Sequence, residues 1–287
     1  MLKRDYSYVT NGKCLDCKFC YRHAVSGTKP KYRMAKMLLI EERFSPSLYQ
    51  VPITISKYCD PNCTPTTQTN SRLAAERILH QGGQIIWRSA IPLTPARFIN
   101  HPKVQVQGRI ITADTRTGDV VRSMIAPNFT SAGIMLRHLK TVTDHGTDAV
   151  VNFDPLILGL NDADLYIVAQ QAAQHGLKKI IVKQLFATDY FKSFLASNVG
   201  KDCSGRLTEK VGPFWTYKNE LLMEYMHNVL QDTKDTGVEF SMCSNKEINP
   251  LLNDYNNCCM FNNPDGIYDI TRTGKGYSLG IIDLKDE

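Results

Sequence analysis

The chain has 287 residues, of which 43% are hydrophobic and 22% are charged, and this ordinary globular composition excludes a disordered or collagen-like chain. It is long enough to bury a substantial core without a structural metal or a disulfide framework. No apolar run approaches the roughly 18 residues of a membrane-spanning helix, and the N-terminus lacks the apolar stretch of a signal peptide. We therefore expect a soluble, cytoplasmic protein that has no membrane partner.

Positive charge is concentrated at the start of the chain. Residues 1–36 contain nine Lys or Arg residues against two Asp residues, a balance of +7, whereas the whole chain carries +6. The rest of the chain therefore sums to −1. Such a basic segment is typical of contact with a polyanion such as nucleic acid. The alternatives are solvated loop charge and a positive potential that offsets an anionic cofactor.

Three of the nine cysteines follow each other at a spacing of three residues, at Cys14, Cys17 and Cys20. An odd number of cysteines in a long chain does not fit a disulfide framework, and isolated buried thiols do not explain the clustering. Structural zinc usually takes four ligands in separated pairs, whereas a [4Fe–4S] cluster on three thiolates keeps one iron open for a small molecule. Zinc remains an alternative, with His23 as its fourth ligand.

Beyond this loop, short apolar strands alternate with helices that end at glycines. The predicted elements in chain order are strand 51–56, helix 71–79, strand 84–87, short helix 94–98, strand 104–111, helix 130–145, strand 149–153, helix 162–175, strand 179–182, helix 221–230 and strand 238–242. At least six strand–helix units predict a parallel α/β sheet in an open, partial (β/α)6 barrel. Residues 1–243 would form this barrel and residues 244–287 an irregular C-terminal extension; residues 198–218 are also poor in regular pattern.

The cysteine loop resembles the cluster loop of the radical S-adenosylmethionine (SAM) enzymes. Their usual pattern is Cys-x3-Cys-x2-Cys with an aromatic residue before the last cysteine. Phe19 occupies that place and Tyr21 follows the loop, whereas the first interval is one residue shorter here. Five further segments resemble, in order, strands and turns of the spore photoproduct lyase-like branch: 53–60, 85–89, 126–131, 150–157 and 214–218. The resemblance covers roughly residues 10–240.

The resemblance implies a partial barrel with a [4Fe–4S] cluster at its C-terminal mouth, held by Cys14, Cys17 and Cys20. SAM would chelate the open iron, with its adenine against the loop around Phe19 and Tyr21. One electron, from a donor such as flavodoxin or ferredoxin, would cleave SAM to methionine and a 5′-deoxyadenosyl radical that abstracts a substrate hydrogen. The cofactor supplies this chemistry, and the protein orients it and excludes water.

Polar residues at predicted strand ends are the further candidates, because barrel enzymes place functional residues there. We expect Ser56, Asp60 and Arg88 to contact SAM, and the guanidinium of Arg88 suits a carboxylate. The alternatives are a plain turn at Asp60 and a surface salt bridge at Arg88. Arg109 is costly to bury alone, so it is exposed, paired or at the site.

Cys59 is the catalytic candidate. It lies close to where spore photoproduct lyase-like enzymes place a hydrogen-donating cysteine, two residues after the position that the resemblance assigns. A thiol there could give its weakly held hydrogen to a product radical. Cys63 is an alternative donor, and both residues could also be ordinary thiols in a turn.

Two groups near the C-terminus carry open alternatives. Trp215 and Tyr217 could stack a nucleic-acid base or simply pack. The late cysteines could hold an auxiliary iron–sulfur cluster or be unremarkable thiols. They are Cys203, Cys243, Cys258 and Cys259.

The expected function is that of a radical SAM enzyme, a lyase or a modifying enzyme. Nucleic acid is the leading substrate, because the branch includes DNA photolesion repair and the start of the chain is basic. The alternatives are radical modification of a peptide or small molecule and a non-catalytic zinc or iron–sulfur module that binds nucleic acid, since a fold does not fix a substrate.

Overall fold

A parallel sheet forms the centre of the protein in the computed structural model, which describes residues 15, 17–20, 52–55, 60–80, 82–243, 245, 247, 248 and 252. The strands are β1 (Ile53–Ile55), β2 (Ile85–Ser89), β3 (Val104–Ile110), β4 (Asp148–Leu156), β5 (Lys179–Gln184), β6 (Glu209–Val211), β7 (Phe214–Thr216) and β8 (Glu239–Met242). Six of them form one sheet in the order β1-β2-β3-β4-β5-β8, and every neighbouring pair is parallel. Strands β6 and β7 form a separate antiparallel hairpin.

Helices provide the crossovers that parallel strands require. They are α1 (Pro65–His80), α2 (Arg116–Ile125), α3 (Ala132–Asp144), α4 (Asp162–Gln174), α5 (Asp189–Asn198), α6 (Lys201–Gly205) and α7 (Asn219–Thr233). Helices α2 and α5 each begin after a threonine whose hydroxyl accepts a hydrogen bond from a first-turn amide, Thr115 from Gly118 and Thr188 from Phe191. No helix in the described part of the chain is both long enough and apolar enough to cross a membrane.

The two faces of the sheet have opposite character, as β3 illustrates. Gly108 faces α3 so closely that an added Cβ would lie 2.6 Å from Met135 Sδ. The next residue along the strand in each direction, Gln107 and Arg109, projects to the other face. We call that second face, lined by polar side chains of β2 to β5, the polar face.

The parallel α/β sheet of the partial-barrel type is confirmed, with a strand at each of the six predicted places. The short helix predicted at 94–98 is a 3-10 turn, Ala96–Phe98. Residues 198–218 are not irregular, because they form α6 and the hairpin. The sequence analysis did not predict β6 and β7, because strands of three residues are too short to show an alternation of polar and apolar residues. Most of the predicted extension at 244–287 lies outside the described residues.

Candidate functional site

The cysteine loop is docked on the connection between α2 and α3. The backbone amide of Lys18 donates a 2.9 Å hydrogen bond to the carbonyl of Ile125. The Asn128 side chain donates to the carbonyl of Leu15 at 3.2 Å. These bonds fix the backbone of the loop at the end of the α2 crossover, next to the end of β3.

Both described cysteines of the loop come from one tight turn. The amide of Cys20 donates to the carbonyl of Cys17 at 3.1 Å, and Cys17 is buried while Cys20 is half-buried. The third predicted ligand, Cys14, lies outside the described residues. Within the described part of the chain there is no group of three or more His, Cys, Asp or Glu residues arranged to hold a metal.

Phe19 anchors this loop to the core. Its ring packs edge-on against Phe129 and Phe191, with centroid distances of 6.1 and 6.2 Å. Only 9% of the residue is exposed. An aromatic residue between two cysteines therefore orients the turn, and its predicted contact with adenine stays a prediction.

An ion triad lies on the polar face beside the loop. Asp154 Oδ2 is 3.1 Å from Arg109 Nε and 3.1 Å from Lys183 Nζ. Burial alone would raise the pKa of Asp154, but the positive charges of Lys183, Arg109 and Arg88 outweigh it and lower the pKa to about 2. The carboxylate is therefore ionised at neutral pH.

Arg109 connects the triad to the cysteine loop. Its guanidinium carbon lies 4.9 Å from the centre of the Phe129 ring. Burial alone would lower the pKa of Arg109, but the fields of Asp154, Cys17, Asp60 and Cys20 outweigh it and raise the pKa. Arg109 is thus charged, and it is close enough to both thiols for their charges to act on it.

The donor set fits an iron–sulfur centre. Cluster ligands must be thiolates, and a fixed cation beside a thiol favours its deprotonated form. Two thiols on one turn, with the charged Arg109 within electrostatic range of both, meet that requirement.

A hydrogen-bonded chain of polar side chains crosses the polar face below the triad, and we call it the polar ladder. Its members are Arg88, Gln105, Gln107, Asp148, Asn152 and Lys179. Gln107 Oε1 accepts from Arg88 Nε at 2.8 Å and from Asn152 Nδ2 at 2.9 Å. Gln107 Nε2 donates to Gln105, which donates to Asp148, and Asp148 also accepts from Lys179.

The charged ends of the polar ladder fix the orientation of its amides, because Asp148 only accepts and Arg88 only donates. Two consequences matter for a ligand. Asn152 Oδ1 is fully buried and has no hydrogen-bond partner among the described residues. Arg88, only 8% exposed, lies within electrostatic range of Asp154 but forms no ion pair with a carboxylate in the described part of the chain. A buried cation without an anion is costly, so this position suits an anionic ligand group.

Asp60 is buried and attaches its own segment to the end of β2. Its carboxylate accepts from the amide of Asn62, the hydroxyl of Ser89 and the amide of Ala90. Burial raises its pKa, and these hydrogen bonds oppose the rise. Both carboxylate oxygens are therefore already engaged by the protein, and the predicted contact of Asp60 with SAM stays a prediction.

The remaining predicted site residues divide into two groups. Ser56, Tyr21 and Cys59 lie outside the described residues. Cys63, the alternative hydrogen donor, is half-buried at the start of α1, where its thiol donates to Thr67 Oγ1 at 3.5 Å.

The C-terminal aromatic residues make structural contacts. The buried hydroxyl of Tyr217 accepts from the amide of Leu158 at 3.1 Å. Trp215 Nε1 donates to Asp189, and Lys192 Nζ lies 3.5 Å from the ring centre. Tyr217 is therefore a packing residue, whereas Trp215 is partly exposed beside a cation.

The late cysteines that the structure describes do not converge. Cys203 is buried against Gly159, and burial raises the pKa of its thiol to about 11. Cys243 packs against Val150 and Ile181 on the polar face. Cys258 and Cys259 lie outside the described residues.

The site residues that the sequence analysis missed include Gln105, Gln107, Asp148, Lys179 and Lys183. One signal was present: glutamine, glutamine and arginine alternate with apolar residues and glycine along 104–110, which is the period of a strand with one polar face. A polar face within a buried parallel sheet indicates a lined interior rather than solvent.

The fold of the described chain is that of the radical SAM enzymes. Spore photoproduct lyase is one of the solved structures to which the chain is similar. One variant of that enzyme gives a TM-score of 0.58 at 14% sequence identity, over 82% of this chain and 75% of that chain. Another variant, solved with a dinucleoside spore photoproduct, gives 0.56 at 12%, over 80% and 73%.

A second similar structure is SuiB of Streptococcus suis bound to S-adenosylmethionine. It gives a TM-score of 0.51 at 12% identity, over 87% of this chain and 52% of that chain. No protein-family model matches the chain, and no curated protein sequence matches it.

Proposed function

We propose that the protein is a radical SAM enzyme whose [4Fe–4S] cluster is held by Cys14, Cys17 and Cys20. The observation that carries the proposal is the docked Cys17–Cys20 turn, whose Phe19 packs on Phe129 while the charged Arg109 covers Phe129. A fold shared with radical SAM enzymes supports it. The bound cluster and SAM supply the reductive cleavage that generates a hydrogen-abstracting radical.

The protein's own residues bind and orient SAM. Arg88 provides guanidinium nitrogens for the SAM carboxylate, because it is a buried cation that forms no ion pair with a described carboxylate. Asp60 attaches its own segment to the end of β2. Ser56 and the loop residues Phe19 and Tyr21 complete the binding site, as the resemblance implies.

Cys59 is the proposed hydrogen donor to a product radical. It precedes Asp60, whose carboxylate is bonded to Ser89 and Ala90 at the end of β2. That anchor places Asp60, the next residue in the chain, at the end of β2, the strand that also carries Arg88. Cys63 is bonded to Thr67 and points its thiol along α1, which favours Cys59 over Cys63.

Nucleic acid is the proposed substrate, with reduced flavodoxin or ferredoxin as the electron donor. The net charge of +7 over residues 1–36 supports a polyanionic substrate. A structural neighbour solved with a dinucleoside photoproduct also supports it. Radical modification of a peptide or small molecule is the second candidate.

Anaerobic reconstitution with iron and sulfide tests the cluster assignment. Wild-type protein should be brown, absorb broadly in the visible range and bleach with dithionite. Single substitutions Cys14→Ala, Cys17→Ala and Cys20→Ala should each lose most of the iron, whereas the control Cys63→Ala should keep it. Full iron retention in all three variants, or a colourless wild-type protein with stoichiometric zinc, would contradict the proposal.

A further inference from the structure

Arg109 occupies a fixed position beneath the cysteine loop. It lies near the end of β3, and its guanidinium covers one face of Phe129 at 4.9 Å. Phe129 in turn contacts Phe19, which lies between Cys17 and Cys20. The guanidinium is therefore one aromatic ring away from the turn that carries both thiols.

The surroundings of Arg109 keep its charge strong and localised. Its side chain is 19% exposed, and Asp154, 10% exposed, lies 3.1 Å from Nε. Asp154 is shared with Lys183 at the same distance, so its negative charge is divided between two cations. A buried charge acts over several ångströms with little screening from solvent.

We propose that Arg109 raises the reduction potential of the cluster held by the cysteine loop. The proposal rests on the proposed function. Reduction adds one electron from an external reductant such as dithionite, so the cluster gains one negative charge, and no bond forms or breaks. A fixed cation stabilises the more negative, reduced form more than the oxidised form. Arg109 therefore makes the electron that SAM cleavage requires easier to load.

Charge substitutions at three positions distinguish this role from a structural one. Arg109→Gln removes the cation, while Asp154 keeps Lys183 as its partner. Arg109→Lys keeps the charge. Lys183→Gln is the matched control, since it removes one cation from the same carboxylate, whereas Arg109 is the cation that packs on Phe129 next to the cysteine loop. Asp154→Asn removes the opposing negative charge.

The measurement is a redox titration with dithionite, followed by electron paramagnetic resonance, on reconstituted protein without SAM. Arg109→Gln should lower the equilibrium constant for reduction at least tenfold, which is a shift of about 59 mV to more negative potential for a one-electron couple. Arg109→Lys should change it less than threefold. Lys183→Gln should shift the reduction potential less than Arg109→Gln does. Asp154→Asn should shift the reduction potential to a more positive value.

Two results would overturn the role of Arg109. One is an unchanged reduction potential in Arg109→Gln protein that contains the cluster, and the other is a shift in Lys183→Gln as large as that in Arg109→Gln. Where Arg109→Gln does not fold, judged by circular dichroism, Asp154→Asn decides, because an unchanged or more negative potential in it contradicts the proposal. Failure of the wild-type protein to bind a cluster contradicts the proposed function instead.

Discussion

Among the described charged residues of the polar face, all but Arg88 form an ion pair. Asp154 is shared between Arg109 and Lys183, and Lys179 is paired with Asp148. Arg88 differs, because its described partner is the neutral amide of Gln107. Removing one partner of a buried pair is strongly destabilising, so an unpaired buried cation is expected where a ligand completes the pair.

Arg88→Ala tests that interpretation. A hydrogen bond between charged groups contributes about 1.5–3 kcal/mol, so the dissociation constant for SAM should rise on the order of tenfold to a hundredfold. The iron content should not change, because Arg88 is not in the cysteine loop. Anaerobic titration calorimetry measures the affinity, and the exposed Arg97→Ala serves as the control. Unchanged SAM affinity in Arg88→Ala would assign the carboxylate contact to another residue.

Asp164 gives a prediction on stability against pH. Its pKa is raised to about 6, chiefly by burial and to a smaller extent by the charge of Asp162, while a hydrogen bond from the Ala113 amide opposes the rise. Because the native pKa exceeds the unfolded value, the native state binds more protons, and stability falls as pH rises from about 4 through 6. The free energy of unfolding of Asp164→Asn should therefore exceed that of the wild type by about 2 kcal/mol at pH 7.5. This gain in stability should shrink below pH 4, where the wild-type carboxyl group is protonated.

Urea unfolding at the two pH values measures this gain. The exposed Asp144→Asn, whose carboxylate pairs with Lys140 on the surface, should show little effect at either pH. A gain in Asp164→Asn that is the same at both pH values would show that the carboxylate is not the cause.

The state of a charged side chain could be predicted from the sequence where the cost of burying it unpaired leaves few alternatives. Arg109 was expected to be exposed, paired or at the site, and it is half-buried and paired with Asp154. The hydrogen-bond partners could not be predicted, because Gln107 contacts Arg88 and Asn152 through strand register, which no local pattern encodes. Asp60 was expected to contact SAM or to form a turn, and it binds backbone and hydroxyl groups of the neighbouring strand end.

At the scale of elements, most strands were predictable because a short stretch rich in apolar residues follows a helix that ends at glycine, as at Gly83, Gly146 and Gly176. Helices α2 and α5 were missed. The first turn of α2 contains Thr117 and Gly118, which are poor helix formers, so a threonine cap and tertiary packing define it rather than propensity. Local sequence does not report such packing.

Gly118→Ala tests the importance of this first turn. An added Cβ would collide with the carbonyl oxygen of Ala113, a backbone atom that cannot move freely, and would crowd Thr115 Oγ1. The free energy of unfolding should fall by about 1–3 kcal/mol in urea denaturation. Gly205→Ala is the matched control, because no heavy atom lies within 4 Å of its added Cβ, and it should be neutral or slightly stabilising. Equal stability of Gly118→Ala and the wild type would contradict the collision.

Over the whole molecule, the basic start of the chain predicts a salt-dependent interaction. Each phosphate contact contributes about −0.9 to the slope of log K against log salt for duplex DNA. Replacing Lys29, Lys31 and Arg33 with Ala should flatten the slope by about 2–3 in fluorescence anisotropy titrations. A triple control replaces three exposed lysines of the described structure: Lys140, Lys201 and Lys234. Absence of measurable binding at low salt would favour a peptide or small-molecule substrate.

The central claim is that this fold, with its cysteine loop, cleaves SAM. The most direct measurement is chromatographic detection of 5′-deoxyadenosine after anaerobic incubation of reconstituted protein with SAM and dithionite. The wild type and Cys63→Ala should form it, and Cys17→Ala should not, because Cys17 is a proposed cluster ligand. Absence of 5′-deoxyadenosine from wild-type protein with a full complement of iron, or its formation by Cys17→Ala at the wild-type rate, would contradict the account.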